Sequence, residues 1–392
     1  MRLKQLPETS KAVDTRYLSN LGIQAYGDYN LYPQMIRNIV NASKTAGGCM
    51  ERYIDFMEGQ GIINPELSEF VLNRAGQTLA DIHALTAEDF AYHEGFALHV
   101  NYNVKGEIVE IQPIPFENVR LAEPDEEGFV KRVAVHPDWT GKSSRNGRAY
   151  PVNAETVDFI DIFNPDPSVV ALQMMEAGGP EFYKGQVLYF SSEGHMLYPH
   201  ARYHSVLTDI STDEGLSNLS HRNVRNNFLP AGAWVHMKDQ TLQTYDDDGN
   251  PKEEESLYSE DLAAVQGDMN ALAIMDFTVN TKEEMPTFVP IQGQNIDKSY
   301  TATADEVKDC IYSAFGQEAF LSLRNGKVGF SGNLITEAEM EYSKHFVKRY
   351  QKMTRAYLAL LSHWTMENPL PAEATMDNLA IVPLFTSNTT SI

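Results

Sequence analysis

The sequence predicts an α+β fold, and three observations carry that expectation. Apolar residues recur at helical spacing through 31–93, alternate with a strand period through much of 96–190, and return to helical spacing from 203 onward. Two helices near the C-terminal end carry explicit start and stop signals, with a glycine-rich stretch between them. A chain of 392 residues with 42% hydrophobic content is long enough for about two or three domains with a sizeable core.

Residues 1–28 mix polar residues with Gly22 and Gly27 and show no sustained period, which reads as an extended arm. A helix over 31–46 is marked by Met35, Ile36, Ile39 and Val40, and Gly47-Gly48 interrupts it before the pattern resumes over 50–57. The spacing of Leu67, Phe70, Val71, Leu79 and Ile82 predicts a further helix over 65–85, and Thr86 with Asp89 starts a short one reaching His93. Phe96, Leu98, Val100 and Tyr102 then alternate, Lys105-Gly106 turns, and 108–111 returns as the second strand of a hairpin. Further strands are expected at 118–122, 129–135, 157–163 and 186–190, with a helix over 168–177.

The stretch 203–228 predicts a polar helix, interrupted at Gly215 and ended by Pro230 and Gly232. Its apolar residues Val206, Ile210, Leu219 and Val224 are diluted by Asn, Ser and Asp, so it suits solvent exposure or lateral packing in an assembly. Residues 235–292 form a small separate module, with an acidic turn at Asp246, Asp247, Asp248, Gly249 and Asn250. Within it a helix is expected over 261–271 and strands over 272–279 and 287–291. A capped helix over 304–315 follows, with Thr303 and Glu306 in capping-box spacing and Gly316 at the C′ position.

Residues 317–333, with Asn325-Gly326, Gly329 and Gly332, are expected to form a glycine-rich loop. A long helix over 334–365 then starts at Thr336 and Glu339 with an Ile335–Met340 staple. Its stripe runs from Ile335 and Ala338 through Tyr342, Phe346, Tyr350 and Tyr357 to Trp364, stopping at Asn368-Pro369. Its charges are sorted along the axis, Glu337, Glu339 and Glu341 first and Lys344, Lys348, Lys352 and Arg355 later, as the macrodipole favours. That basic stripe is either a solvated face or a nucleic-acid contact.

The 31 Lys and Arg against 54 Asp and Glu give a net charge of −23, which argues against gripping nucleic acid over the whole surface. No apolar run reaches bilayer-spanning length, and the opening MRLKQLPETSKAVD has no apolar segment of a secretory signal. Cys49 and Cys310 are too few for a disulfide framework or zinc site and read as reduced core thiols. Gly141-Lys142-Ser143 lacks the upstream glycine of a phosphate loop, since His136 occupies that position. His195, His200 and His204 are separated by Pro199 and read as scattered imidazoles. No nucleophile elbow or H-E-x-x-H pair occurs, so neither catalysis nor a metal or cofactor is expected.

The order of elements over most of 30–365 resembles the portal proteins of tailed double-stranded DNA bacteriophages, in the compact form of long-tailed phages and prophages. The residues that carry the resemblance are Tyr32-Pro33-Gln34-Met35-Ile36, Glu94-Gly95-Phe96-Ala97-Leu98, Ile111-Gln112-Pro113-Ile114-Pro115 and Val119-Arg120-Leu121. To these are added Val187-Leu188-Tyr189-Phe190 and Asn226-Asn227-Phe228-Leu229-Pro230-Ala231-Gly232. The resemblance implies an arm over 1–28, a mixed α/β wing over 29–202, stem helices over 203–234 and 297–316, and a small α/β clip over 235–296. It further implies a tunnel loop over 317–333, a long helix over 334–365 above the channel, and a C-terminal segment over 366–392. Two departures stand out: Tyr203-His204-Ser205 occupies the place of a glycine-containing turn, and the short C-terminal segment leaves the crown short or absent. Residues 379–384 could instead add a strand back to the wing.

The implied role is a ring, usually of about twelve copies, at a capsid vertex of the virion. A terminase motor drives DNA inward through that ring, and the genome later leaves through it. The implied partners are further copies of the chain, the terminase large subunit, the major capsid and scaffold proteins, a head-completion or neck protein, and transiting double-stranded DNA, with no membrane. Arg324, Asn325 and Lys327 are the expected channel residues, Lys344, Lys348 and Lys352 a possible DNA-facing helix, and Asp246, Asp247 and Asp248 the docking turn. An acidic wall with few cations suits passage of a polyanion, because each neutralised phosphate adds salt-dependent affinity that resists sliding. A head-to-tail connector or another ring-forming virion structural protein is the alternative.

Overall fold

The computed structural model describes residues 15–142, 144–145, 148–149, 151–192, 197–225, 232–237, 241–242, 255–256, 274–279, 296–324 and 332–385. The chain divides into two compact units, one formed by Met1–Ser211 with Glu306–Ile392 and the other by Thr212–Asp305.

The larger unit begins with β1 (Tyr17–Leu18) and β2 (Ile23–Gln24), a short antiparallel pair in a stretch expected to be a featureless arm. Burial decides this: Ile23, Ala25 and Tyr26 lose essentially all exposure, and Tyr26 stacks between Tyr32 at 5.2 Å and Tyr198 at 4.1 Å. Helices α1 (Tyr32–Ala42) and α2 (Lys44–Glu58) divide at Ser43 rather than at Gly47-Gly48, which lie inside α2. The Ser43 side chain accepts the Ala46 N–H at 3.1 Å, and that cap sets the boundary. The helix expected over 65–85 is reduced to α3 (Pro65–Ser68), followed by irregular chain. Asn73 Oδ1 accepts the N–H groups of Ala75 and Gln77, both at 3.1 Å, and Gly76 turns at φ 81°, so a local side-chain turn outcompetes the helix.

Helix α4 (Leu79–His93) starts at a capping box made by Thr78 and Asp81, so the start expected at Thr86 is displaced by two turns. Thr86 is instead a buried mid-helix residue whose hydroxyl meets the Tyr357 hydroxyl at 2.8 Å. The hairpin forms as expected from β3 (Gly95–Tyr102) and β4 (Ile108–Ile114). With β5 (Val119–Leu121), β6 (Arg132–Val135), β9 (Asp158–Ile162) and β10 (Gln186–Ser191) it builds a six-stranded sheet in the order β4-β3-β10-β9-β6-β5. The short pair β7 (Ser144–Arg145) and β8 (Arg148–Ala149) stands apart. Within this sheet, among the described residues, β9 and β10 are the pair that runs parallel, because α5 (Pro167–Glu176) supplies the crossover between them.

A continuous core joins α1, α2 and α4 to the sheet and to the C-terminal helices. Helix α6 (Leu207–Arg225) runs through Gly215 unbroken, since one glycine costs only about 1 kcal/mol relative to alanine. Helix α7 (Ile296–Ala314) starts well before Thr303, because 296–302 contains no glycine or proline to stop it. Glu318–Arg324, expected in a loop, is helix α8; its residues are mostly good helix formers and the glycines begin only at Gly326.

The single long helix expected over 334–365 is two helices, α9 (Gly332–Lys344) and α10 (Val347–Leu361). The join is tightened by His345 N–H donating to Tyr342 O and Phe346 N–H donating to Ser343 O, both at 3.1 Å and both spanning three residues rather than four. After α10 the chain returns along 60–63: Ile381 bridges Ile62, and Leu379 is fully buried. Residues 379–384 thus clamp the α2–α3 connection rather than joining the sheet.

In the unit Thr212–Asp305, β11 (Gly232–Met237) and β14 (Ile274–Val279) pair in parallel, and β12 (Thr241–Leu242) pairs with β13 (Glu255–Ser256). The strand expected over 272–279 is β14, whereas β11 lies where the sequence predicts only the stop of the polar helix and the start of the small module. The helix at 261–271, the strand at 287–291 and the turn at Asp246, Asp247 and Asp248 lie outside the described residues.

Candidate functional site

The junction that carries α7 into α8 is assembled from residues far apart in sequence. Helix α7 ends in a Schellman motif: Gln317 N–H donates to Tyr312 O at 2.8 Å and Gly316 N–H to Ser313 O at 2.9 Å, with Gly316 at φ 67°. Gln317 is fully buried. Its Nε2 donates to Cys49 O at 2.8 Å and to the Tyr342 hydroxyl at 3.0 Å, and its Oε1 accepts from Arg52 at 3.1 Å. The Tyr342 hydroxyl in turn donates to Phe315 O at 3.1 Å, and burial pushes its ionisation up to about 12. One amide therefore ties α8 to α2 and α9.

Aromatic rings fill the space beside that amide. Phe315 packs face to face on Tyr203 at 5.2 Å and edge-on to Tyr53 at 6.2 Å, and Phe346 lies 5.2 Å from Tyr53 and 5.8 Å from Phe56. Burial, reinforced by the Glu94 carboxylate, raises the Tyr53 hydroxyl well above its ordinary range. Glu94 ends α4 in the left-handed region at φ 55°, accepts from Tyr53 at 3.3 Å and pairs with Arg349 of α10 at 3.3 Å. Among the described residues no group of three or more His, Cys, Asp or Glu could hold a metal ion.

The residues singled out from the sequence do not converge on this junction. Arg324 is the last residue of α8, while Asn325 and Lys327 lie outside the described residues. Lys344 pairs with Glu341 at 2.5 Å, both exposed. Lys348 and Lys352 are exposed on α10 with Arg355, away from the buried Tyr350, Met353 and Tyr357, and Lys352 reaches Ser192 O at 3.5 Å. His204 bonds the Tyr32 hydroxyl at 2.8 Å and lies 5.5 Å from His200, while His195 is outside the described residues. Cys49 is buried and Cys310 half-buried, both as free thiols.

Sequence reasoning missed Gln317 and Arg120. Gly316 at a C′ position flagged the turn, but nothing local to Gln317 announces a partner at Cys49. Arg120 is wholly buried, donating to Asn30 Oδ1 at 2.6 Å, Val119 O at 2.7 Å, Glu117 O and Asn30 O at 2.8 Å, and Gln34 Oε1 at 3.2 Å. It binds the 26–34 segment to the sheet edge.

No protein-family model and no curated protein matches the chain. Among solved structures, the chain is similar to one from the neck of a native GTA particle computed with C12 symmetry, at 12% identity over 84% of this chain and 80% of that one, with a TM-score of 0.42. It is also similar to a chain from the neck of an empty GTA particle computed with C6 symmetry, at 12% identity over 85% and 81%, with a TM-score of 0.43. A third is from the virion of a native gene transfer agent particle, at 11% identity over 80% and 81%, with a TM-score of 0.34. No helix among the described residues is long and apolar enough to cross a membrane.

Proposed function

We propose that the chain is the subunit of a phage-type portal ring, a structural and non-catalytic component through which a terminase motor threads double-stranded DNA and through which the genome leaves. The observation that carries this reading is the separate unit Thr212–Asp305, whose two boundaries fall inside the nineteen-residue helices α6 and α7. A compact unit that interrupts the chain between two helices is the order of elements expected of a clip between two stem helices. The polarity of α6 supports lateral packing against copies of itself, since heterologous contacts related by rotation close into a ring. The net charge of −23 supports a passage that guides a polyanion without holding it.

Within this reading Arg324, Asn325 and Lys327 meet DNA transiently at the narrowest part of the channel, and Asp246, Asp247 and Asp248 dock the motor and later a neck protein. The capsid and scaffold proteins surround the ring at the virion vertex. Negative-stain imaging with light scattering tests it directly: rings with a central hole are expected. A strictly monomeric protein across salt and concentration refutes it.

A further inference from the structure

We propose that α9 and α10 form a head-to-tail contact between neighbouring copies of this chain, the glutamates of α9 meeting the basic outer face of α10 on the next copy. The inference rests on the ring reading above and deepens it by naming the surfaces that close the ring. It assigns Lys348 and Arg355 to a protein partner rather than to DNA.

Three features of the helix pair lead there. First, α9 is uncovered over 334–341. None of residues 334–341 is buried, although Ile335 and Ala338 belong to the stripe that continues, buried, through Tyr342, Phe346 and Tyr350. Ile335 is 37% exposed, and Val347, just past the join, is 42% exposed.

Second, charge is separated along the axis. Glu337, Glu339 and Glu341 lie on α9, whereas Lys348, Lys352 and Arg355 lie on α10. Of the six, Glu341 is paired within the chain, to Lys344; Glu337, Glu339, Lys348 and Arg355 have no ion pair among the described residues.

Third, the combination excludes a simple phosphate track. DNA would suit Lys348 and Arg355 but would be repelled by Glu337 and Glu339 and would leave Ile335 facing a polyanion. A second copy, offering the same surface in the same polarity, matches the glutamates, the basic face and the apolar residues together. Such a contact is heterologous, as ring closure requires.

Two double variants test the proposal with the full chain: Lys348→Glu with Arg355→Glu, and Glu337→Lys with Glu339→Lys. All four positions are exposed or half-buried, so circular dichroism and the unfolding midpoint should match wild type. At 0.1 M salt the wild type should assemble, and each variant alone should self-associate at least tenfold more weakly. An equimolar mixture of the two should recover assembly, because alternating copies restore opposite charge at every contact. Wild-type assembly with both variants assembling equally well, or variants that fail alone and also fail when mixed, would overturn this inference and leave the ring reading standing. A monomeric wild type would remove both. Variants that assemble normally but retain less DNA would return the basic stripe to a DNA-facing role.

Discussion

Replacing Arg120 with methionine removes the buried charge that fastens the 26–34 segment to the sheet. Burial pulls this guanidinium down from its ordinary 12.5 to about 10, which corresponds to a penalty of about 3 kcal/mol for keeping it charged. Against that stand the hydrogen bonds to Asn30, Gln34, Glu117 and Val119, together with the faces of Trp139 at 5.1 Å and Tyr26 at 5.7 Å. Hydrogen bonds from a charged donor contribute about 1.5 kcal/mol each at the low end, so the set outweighs the penalty by roughly 4 kcal/mol. Methionine fills the space but takes the guanidinium away from every one of those oxygens, although Asn30 Oδ1 keeps the Tyr26 N–H and Glu117 O keeps the Gln34 amide. Arg120→Met should therefore lose roughly 4 kcal/mol in equilibrium denaturant unfolding and lower Tm by about 6 °C. Hydrogen exchange should rise first at Tyr26 to Gln34 and along β5, the segments the guanidinium joins. A variant within about 1 kcal/mol of wild type, with unchanged protection there, would show that the carbonyl cage does not depend on the charge.

Gln317→Leu should cost about 2–3 kcal/mol and increase exchange at the start of α8, because Cys49 O, Arg52 and the Tyr342 hydroxyl all lose their shared partner; unchanged protection of α8 would exclude the amide as its anchor. His93 and Asp89, one turn apart on α4, should give opposing pH slopes. His93 is fully buried with neither ring nitrogen hydrogen-bonded, and burial holds it well below its ordinary 6.5, so native stability falls as pH drops below about 6.5, where only the unfolded chain takes up the proton. Asp89 is raised by burial from 3.8 to about 7, so its contribution is full below about 3.8 and is lost as pH rises through about 7. His93→Phe should thus gain about 2 kcal/mol at pH 5 relative to pH 8 and expose the Asp89 slope, and parallel stability curves for variant and wild type would refute the assignment. Deleting the turn at Asp246, Asp247 and Asp248 should leave the unfolding midpoint of the larger unit unchanged while slowing DNA packaging, and packaging at the normal rate would remove its docking role.

The sequence by itself determined the α+β class, the β3–β4 hairpin and the C′ glycine at Gly316. These follow from short-range periodicity and from capping chemistry, which a few neighbouring residues specify. Helix boundaries were less legible where two local signals competed. Ser43 outcompeted Gly47-Gly48, Asn73 broke a helix that the apolar spacing favoured, and Thr78 rather than Thr86 supplied the working cap. In each case a side-chain hydrogen bond, invisible in apolar spacing alone, set the end. Only the tertiary structure decided that 23–26 belongs to the core, that Arg120 is buried without an ion pair among the described residues, and that Gln317 meets Cys49 O. Those contacts join residues tens to hundreds of positions apart, and a buried polar group is chosen by the partners that folding brings to it, not by its neighbours in the chain.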